Sequence, residues 1–171
     1  MIIISLFIIS TLLWQDDFTE TITPVKQLFN NTVDITYERG KVLLNAHPQN
    51  GDFASAWFSV DEDIILGDRD VLELVIKVNH NKVGLRYYCL KGGGGVYFFG
   101  ERTICAQEAW QHVDIPIKEA KPLFGSDFPA ALTPGKMPCL YIFIRNELPG
   151  NFDVEIDRIA LLREESSKEE Q

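Results

Sequence analysis

Beyond residue 15, hydrophobic and polar residues alternate along short stretches separated by Gly, Pro, Asn and Asp. In 140–146, Leu140, Ile142 and Ile144 fall on one side, and Tyr141, Phe143 and Arg145 on the other. In 84–90, Leu85, Tyr87 and Cys89 oppose Arg86, Tyr88 and Leu90. In 71–78, Leu72, Leu74, Ile76 and Val78 oppose Glu73, Val75 and Lys77, and in 55–60, Ala56, Phe58 and Val60 oppose Ser55, Trp57 and Ser59. Successive side chains of a strand point to opposite faces, so this period of two predicts half-buried β-strands with one face in a core. Further strands are expected at 33–37, 41–45, 96–99, 111–117 and 152–162, rich in β-branched and aromatic residues. No stretch after residue 15 carries a sustained helical period, although a helical turn is expected near Lys118–Phe124. Many short strands divided by turn residues predict an all-β fold, a jelly-roll β-sandwich of two antiparallel sheets.

The turns are legible too. Glu38-Arg39-Gly40 is placed to join two strands tightly, and Gly92 to Gly95 suits a hairpin loop, since glycine takes positive φ without penalty. The long connection from Lys118 to Pro138 holds Pro122, Pro129, Pro134 and Pro138 and is expected to wrap one end of the sandwich.

The two ends differ from the middle. Met1 to Trp14 is an uncharged apolar run, shorter than the ~20 residues a membrane-crossing helix needs. Its length and position fit an export signal over 1–15, although it lacks a leading Lys or Arg and a small-residue cleavage site. A truncated signal peptide and a buried first strand are the other readings. The globular domain is expected over 16–162, with 163–171 as a charged tail. The export reading implies a secreted, periplasmic or cell-surface protein with no membrane insertion once the signal is removed.

With 25 acidic and 16 basic side chains the net charge is −9. Nucleic-acid binding rests on a basic face, so no nucleic-acid partner is expected. Cys89, Cys105 and Cys139 are too scattered for close metal-binding pairs, and their apolar surroundings suggest burial. The histidines, His47, His80 and His112, have no metal-binding spacing, and no nucleophile elbow or phosphate loop occurs. A glycosidase-like pair of carboxylates is defined by separation in space, so the sequence leaves that reading open. Asn30-Asn31-Thr32 has the form of a glycosylation acceptor.

The outward aromatics are the main chemical lead. Sugars present apolar C–H faces edged by hydroxyls, which suits flat rings accompanied by polar side chains. Trp57, Tyr88, Tyr141 and Phe143, with Glu73, Arg86 and Arg145, supply both kinds of contact. The same rings would equally suit packing under a loop, a second sheet or a partner protein. A second lead is acidic: Asp16, Asp17 and Glu20 precede the first of these strands and Asp157 interrupts the last. Calcium takes six to eight oxygens, including carbonyls, which distant segments can supply.

Asp16-Asp17-Phe18-Thr19-Glu20 at the start, Val71 to Val78, Trp110-Gln111-His112-Val113-Asp114-Ile115-Pro116, and Phe152 to Ile159 at the end together resemble galactose-binding-like jelly-roll domains. Carbohydrate-binding modules of glycoside hydrolases are the best known of these. The resemblance spans about residues 16 to 162 through short, degenerate motifs. It implies a non-catalytic domain that binds a polysaccharide or oligosaccharide. It also implies a structural calcium between first and last strands, with Asp17, Glu20 and Asp157 at the matching positions. Such modules usually accompany a catalytic domain, and none is expected within these 171 residues.

Overall fold

The computed structural model describes residues 10–19, 26–28, 33–48, 54–60, 64, 66–67, 69–80, 82–90, 97–122, 140–148 and 150–165. Gly92–Gly95, Asn30–Thr32, Glu20, Cys139 and most of the 118–138 connection lie outside them.

Among the described residues, twelve strands form two antiparallel sheets. They are β1 (Ser10–Asp16), β2 (Lys26–Leu28), β3 (Val33–Tyr37), β4 (Val42–Ala46), β5 (Ser55–Val60), β6 (Asp70–His80), β7 (Lys82–Leu90), β8 (Tyr97–Cys105), β9 (Gln111–Pro116), β10 (Lys121–Pro122), β11 (Leu140–Asn146) and β12 (Phe152–Glu164). The first sheet runs β3-β4-β12-β6-β9, with β1 also paired to β12. The second runs β10-β8-β7-β11-β5-β2. The expected all-β sandwich is therefore the fold.

The alternating residues form the core between the sheets. Leu72, Leu74, Ile76 and Val78 face it from the first sheet, and Phe58, Leu85, Tyr87, Ile142 and Ile144 from the second; all are essentially inaccessible to water. β12 is long enough to carry β6 along one side and β4 followed by β1 along the other. A bulge between Ile156 and Arg158 inserts Asp157, so Val154, Ile156, Ile159 and Leu161 all still reach the core.

The structure extends the domain at both ends. Ser10–Asp16 pairs with β12 from Glu164 to Ile159, and Trp14 is buried in the core. The expected boundary at residue 15 thus falls inside a core strand, where a run of apolar residues serves as well as it would in a leader. At the other end β12 continues through Glu164. Asp70, fully buried, accepts from Arg163 Nε at 2.7 Å and Nη2 at 2.9 Å, so the expected tail boundary at 163 also lies within the fold. A 3-10 turn, Ile117–Glu119, takes the place of the helical turn expected over 118–124. Cys105, expected to be buried, is exposed at the end of β8.

Candidate functional site

The outer face of the second sheet gathers the aromatic positions. Cross-strand register puts Trp57 opposite Phe143, Phe143 opposite Arg86 and Arg86 opposite Glu101, forming one row across four strands. The next row runs Ser59, Tyr141, Tyr88, Phe99 and Lys121. A third holds Ser55, Arg145, Gly84 and Thr103. Ala56, Phe58, Leu85, Tyr87, Ile142 and Ile144 are buried on the inner side, so the intervening positions 57, 86, 88, 141, 143 and 145 share the outer one.

Trp57, Arg86 and Arg145 are half-buried there. The Nε of Arg86 lies 3.2 Å from Glu101, fixing one guanidinium beside the aromatic row. Gly84, between Arg145 and Thr103, has no side chain of its own, and the carboxylate of Glu147 stands over its Cα. Among the described side chains, Trp57 is the flat ring and Arg86, Glu101 and Arg145 are the charged hydrogen-bonding groups at neighbouring register positions. That chemistry suits a ring with an apolar face and a hydroxylated edge.

Glu73 is not part of this surface. It lies on β6 in the first sheet, where it is ion-paired with Arg158 of β12. Within one strand, alternation specifies a face but not the sheet to which that face belongs. Glu101, Phe99 and Lys121 were missed for the same reason, since only pairing brings them into the rows.

The acidic lead separates into differently placed groups. Asp16 ends β1 pointing inward; its Oδ1 accepts from the Phe18 N–H at 2.9 Å, and its Oδ2 is buried with no hydrogen-bond donor. This turn holds Phe18 at φ 56, left-handed for a bulky residue, and its ring lies near those of Tyr37 and Phe58 at 6.4 and 6.0 Å between centroids. Asp17 Oδ1 accepts from the hydroxyl and backbone N–H of Thr19 at 2.7 and 3.2 Å, bonds that hold its pKa below the ordinary carboxylate value. Asp157 is exposed on its bulge. Among the described residues no three carboxylate, histidine or cysteine groups converge as a metal cluster. The orphaned Asp16 oxygen is the feature here that fits a cation.

A cavity of about 400 Å³ opens where the second sheet ends, lined by Tyr87, Gly100, Glu101, Ile115, Glu119 and Lys121. The Tyr87 hydroxyl donates to the Pro116 carbonyl at 3.3 Å, and Arg102 donates to Glu119 at 2.8 Å. Each of its two glutamates is paired with an arginine, Glu101 with Arg86 and Glu119 with Arg102.

No family model and no curated protein sequence matches the chain. Solved structures do. A solution structure of CtCBM11 superposes with a TM-score of 0.64 at 12% identity, covering 95% of this chain and 100% of that one. The family 11 carbohydrate-binding module of the cellulosomal cellulase Lic26A-Cel5E of Clostridium thermocellum gives 0.61 at 13% identity, covering 93% and 96%. PfGH50B gives 0.60 at 11% identity over 94% of this chain, which spans only 24% of that protein. At these identities the likeness concerns the fold. By its architecture the chain is a jelly-roll β-sandwich of the kind found in carbohydrate-binding modules and in domains of larger glycoside hydrolases.

Proposed function

We propose that this chain is a non-catalytic carbohydrate-binding domain that holds a polysaccharide or oligosaccharide on the outer face of its second sheet. The observation that carries this reading is the register, which sets Trp57, Phe143 and Arg86 in one row and Tyr141, Tyr88 and Phe99 in the next. Stacking rings would hold the sugar faces, while Arg86 and Arg145 donate to hydroxyls. The fold likeness supports it, since one similar structure is a family 11 module in complex with a β-1,3-1,4-mixed-linked tetrasaccharide. A glycan array followed by affinity gels on Trp57→Ala and Arg86→Ala tests it. Loss of a central Trp should cost about 2 kcal/mol, roughly thirtyfold in Kd. Unchanged retention of both variants would refute the face.

Two further parts belong to the same reading. The protein is exported, and the apolar segment at its start is the part of the chain that would carry the signal. Calcium binds at the end of β1, with Asp17, Glu20 and Asp157 as the expected carboxylates and the buried Asp16 oxygen as a further donor.

A further inference from the structure

We infer that the outer face of the first sheet carries a second saccharide-binding site, built from Trp110 and the groove beside it. It shares the saccharide class of the reading above but not its face, so either site can fail without the other. The outer faces of a sandwich point in opposite directions, and the two sites would hold two different sugar chains.

Among the described residues, Trp110 is the one large aromatic side chain left open to water, at 40% exposed. It stands just before β9, where Ile115 is buried while His112 and Asp114 are exposed. Alternation therefore sets position 110 on the outer side with 112 and 114. β6 and β9 pair with Ile76 opposite Gln111. One residue further along that register, Trp110 falls beside Lys77, another outer position.

An open groove of about 500 Å³ lies there, lined by Lys77 and Asn79 of β6 and by Ala106, Gln107 and Glu108 of the segment leading to Trp110. Both walls are held in place. The Gln107 N–H donates to the Val78 carbonyl at 3.0 Å, and Gln111 Nε2 donates to the Cys105 carbonyl at 3.0 Å, so the segment is tied down at both ends. On the other wall Asn79 Nδ2 donates to Glu155 at 3.0 Å, and Lys77 Nζ lies 3.4 Å from the same carboxylate. Walls fixed before binding lower the entropic cost of holding a ligand.

The chemistry favours a neutral hydroxylated ring. The amides of Asn79 and Gln107 each donate and accept, as hydroxyls do, and Glu108 adds an acceptor. Lys77 is balanced by Glu155, so the groove has no excess of positive charge to select an anion. A flat indole beside such groups suits the apolar face of a sugar with its hydroxylated edge turned to the groove. The volume lies within the range of about 300 to 1,000 Å³ typical of small-ligand sites.

The test is a glycan array that includes mixed-linkage β-glucan, probed with the full chain, Trp57→Ala, Trp110→Ala, Trp110→Phe and Glu108→Ala. Titration calorimetry follows with the glycan giving the strongest signal. Trp110 and Glu108 are exposed, and a circular dichroism melt checks that their variants fold. The full chain should bind at two sites, and Trp57→Ala should keep one of them. At that remaining site Trp110→Ala should cost about tenfold in affinity and Glu108→Ala about threefold, while Trp110→Phe, which keeps a flat ring, should restore most of the loss. A single site that Trp57→Ala removes, or Trp110→Ala and Glu108→Ala both binding like the full chain, overturns this site and leaves the second-sheet face standing. Binding that Trp110→Ala removes and Trp57→Ala leaves unchanged would instead refute the second-sheet face. If the full chain binds nothing on the array, both sites fall.

Discussion

Tyr87 and Gly100 face each other across β7 and β8, and the tyrosine ring occupies the place where a side chain at 100 would begin. A Cβ built on Gly100 would stand 2.2 Å from two of the ring carbons. The ring cannot easily retreat, being fully buried with its hydroxyl on the Pro116 carbonyl. Gly100→Ala should therefore destabilise the domain by about 1–3 kcal/mol, the usual cost of overpacking. Gly84→Ala provides the contrast. Its Cβ would meet the carboxylate end of Glu147 at 2.3 Å, and that flexible side chain can swing away. Urea denaturation should show a clear drop in midpoint for the first variant and a much smaller one for the second.

The pair of Asp70 and Arg163 ties the start of β6 to the end of β12. Asp70 also accepts from the Gly67 N–H at 2.7 Å, and its hydrogen bond with Arg163, aided by its charge, holds the Arg163 pKa above its ordinary value. Arg163→Ala would leave a buried carboxylate without its cation. Removing one partner of a fully buried pair costs about 3–5 kcal/mol; because the Arg163 side chain is 40% exposed, about 2 kcal/mol is expected here. Adding Asp70→Asn should recover part of that loss. A double variant no more stable than Arg163→Ala alone would contradict this account.

Acid should weaken the first sheet through Glu155. Lys41 donates to its carboxylate, Asn79 does so at 3.0 Å, and Lys77 lies 3.4 Å away. Led by the bonds from Lys41 and Asn79, these contacts pull its pKa from 4.5 down to about 2. A depressed folded-state pKa adds stability that is fully present above about 4.5 and is lost as pH falls toward 2. With both lysines partly in water, the contribution is about 1 kcal/mol. Glu155→Gln should flatten the stability profile between pH 4.5 and 2 while changing its shape little at neutral pH. An unaltered acid limb in the variant would assign the effect to other groups.

The calcium proposal predicts a chelator effect. Adding EDTA to protein purified in calcium should lower the melting temperature by several degrees, and Asp16→Asn should abolish the difference. If the melting curve is the same with and without chelator, the acidic residues at the end of β1 are not a metal site.

Much of the fold was legible along the chain. Leu72, Leu74, Ile76 and Val78 share a core face because strand side chains alternate, a property each strand carries alone. The same rule put Trp57, Arg86, Tyr88, Tyr141, Phe143 and Arg145 on outer positions. It also put Glu73 on an outer position, and there the sequence alone was insufficient. Glu73 lies on β6 of the first sheet, whereas Arg86 lies on β7 of the second. β6 and β7 are consecutive in the chain, yet the chain passes from one sheet to the other between them. Which strands become neighbours depends on pairing between distant segments, and no local period records it. That pairing brought Trp14 of β1 into the core, aligned Trp57 with Phe143 and Arg86, and led two rows to Glu101 and Lys121 at one cavity. The sequence by itself determined which side of each strand is apolar, and only the tertiary structure decided which outer faces belong together.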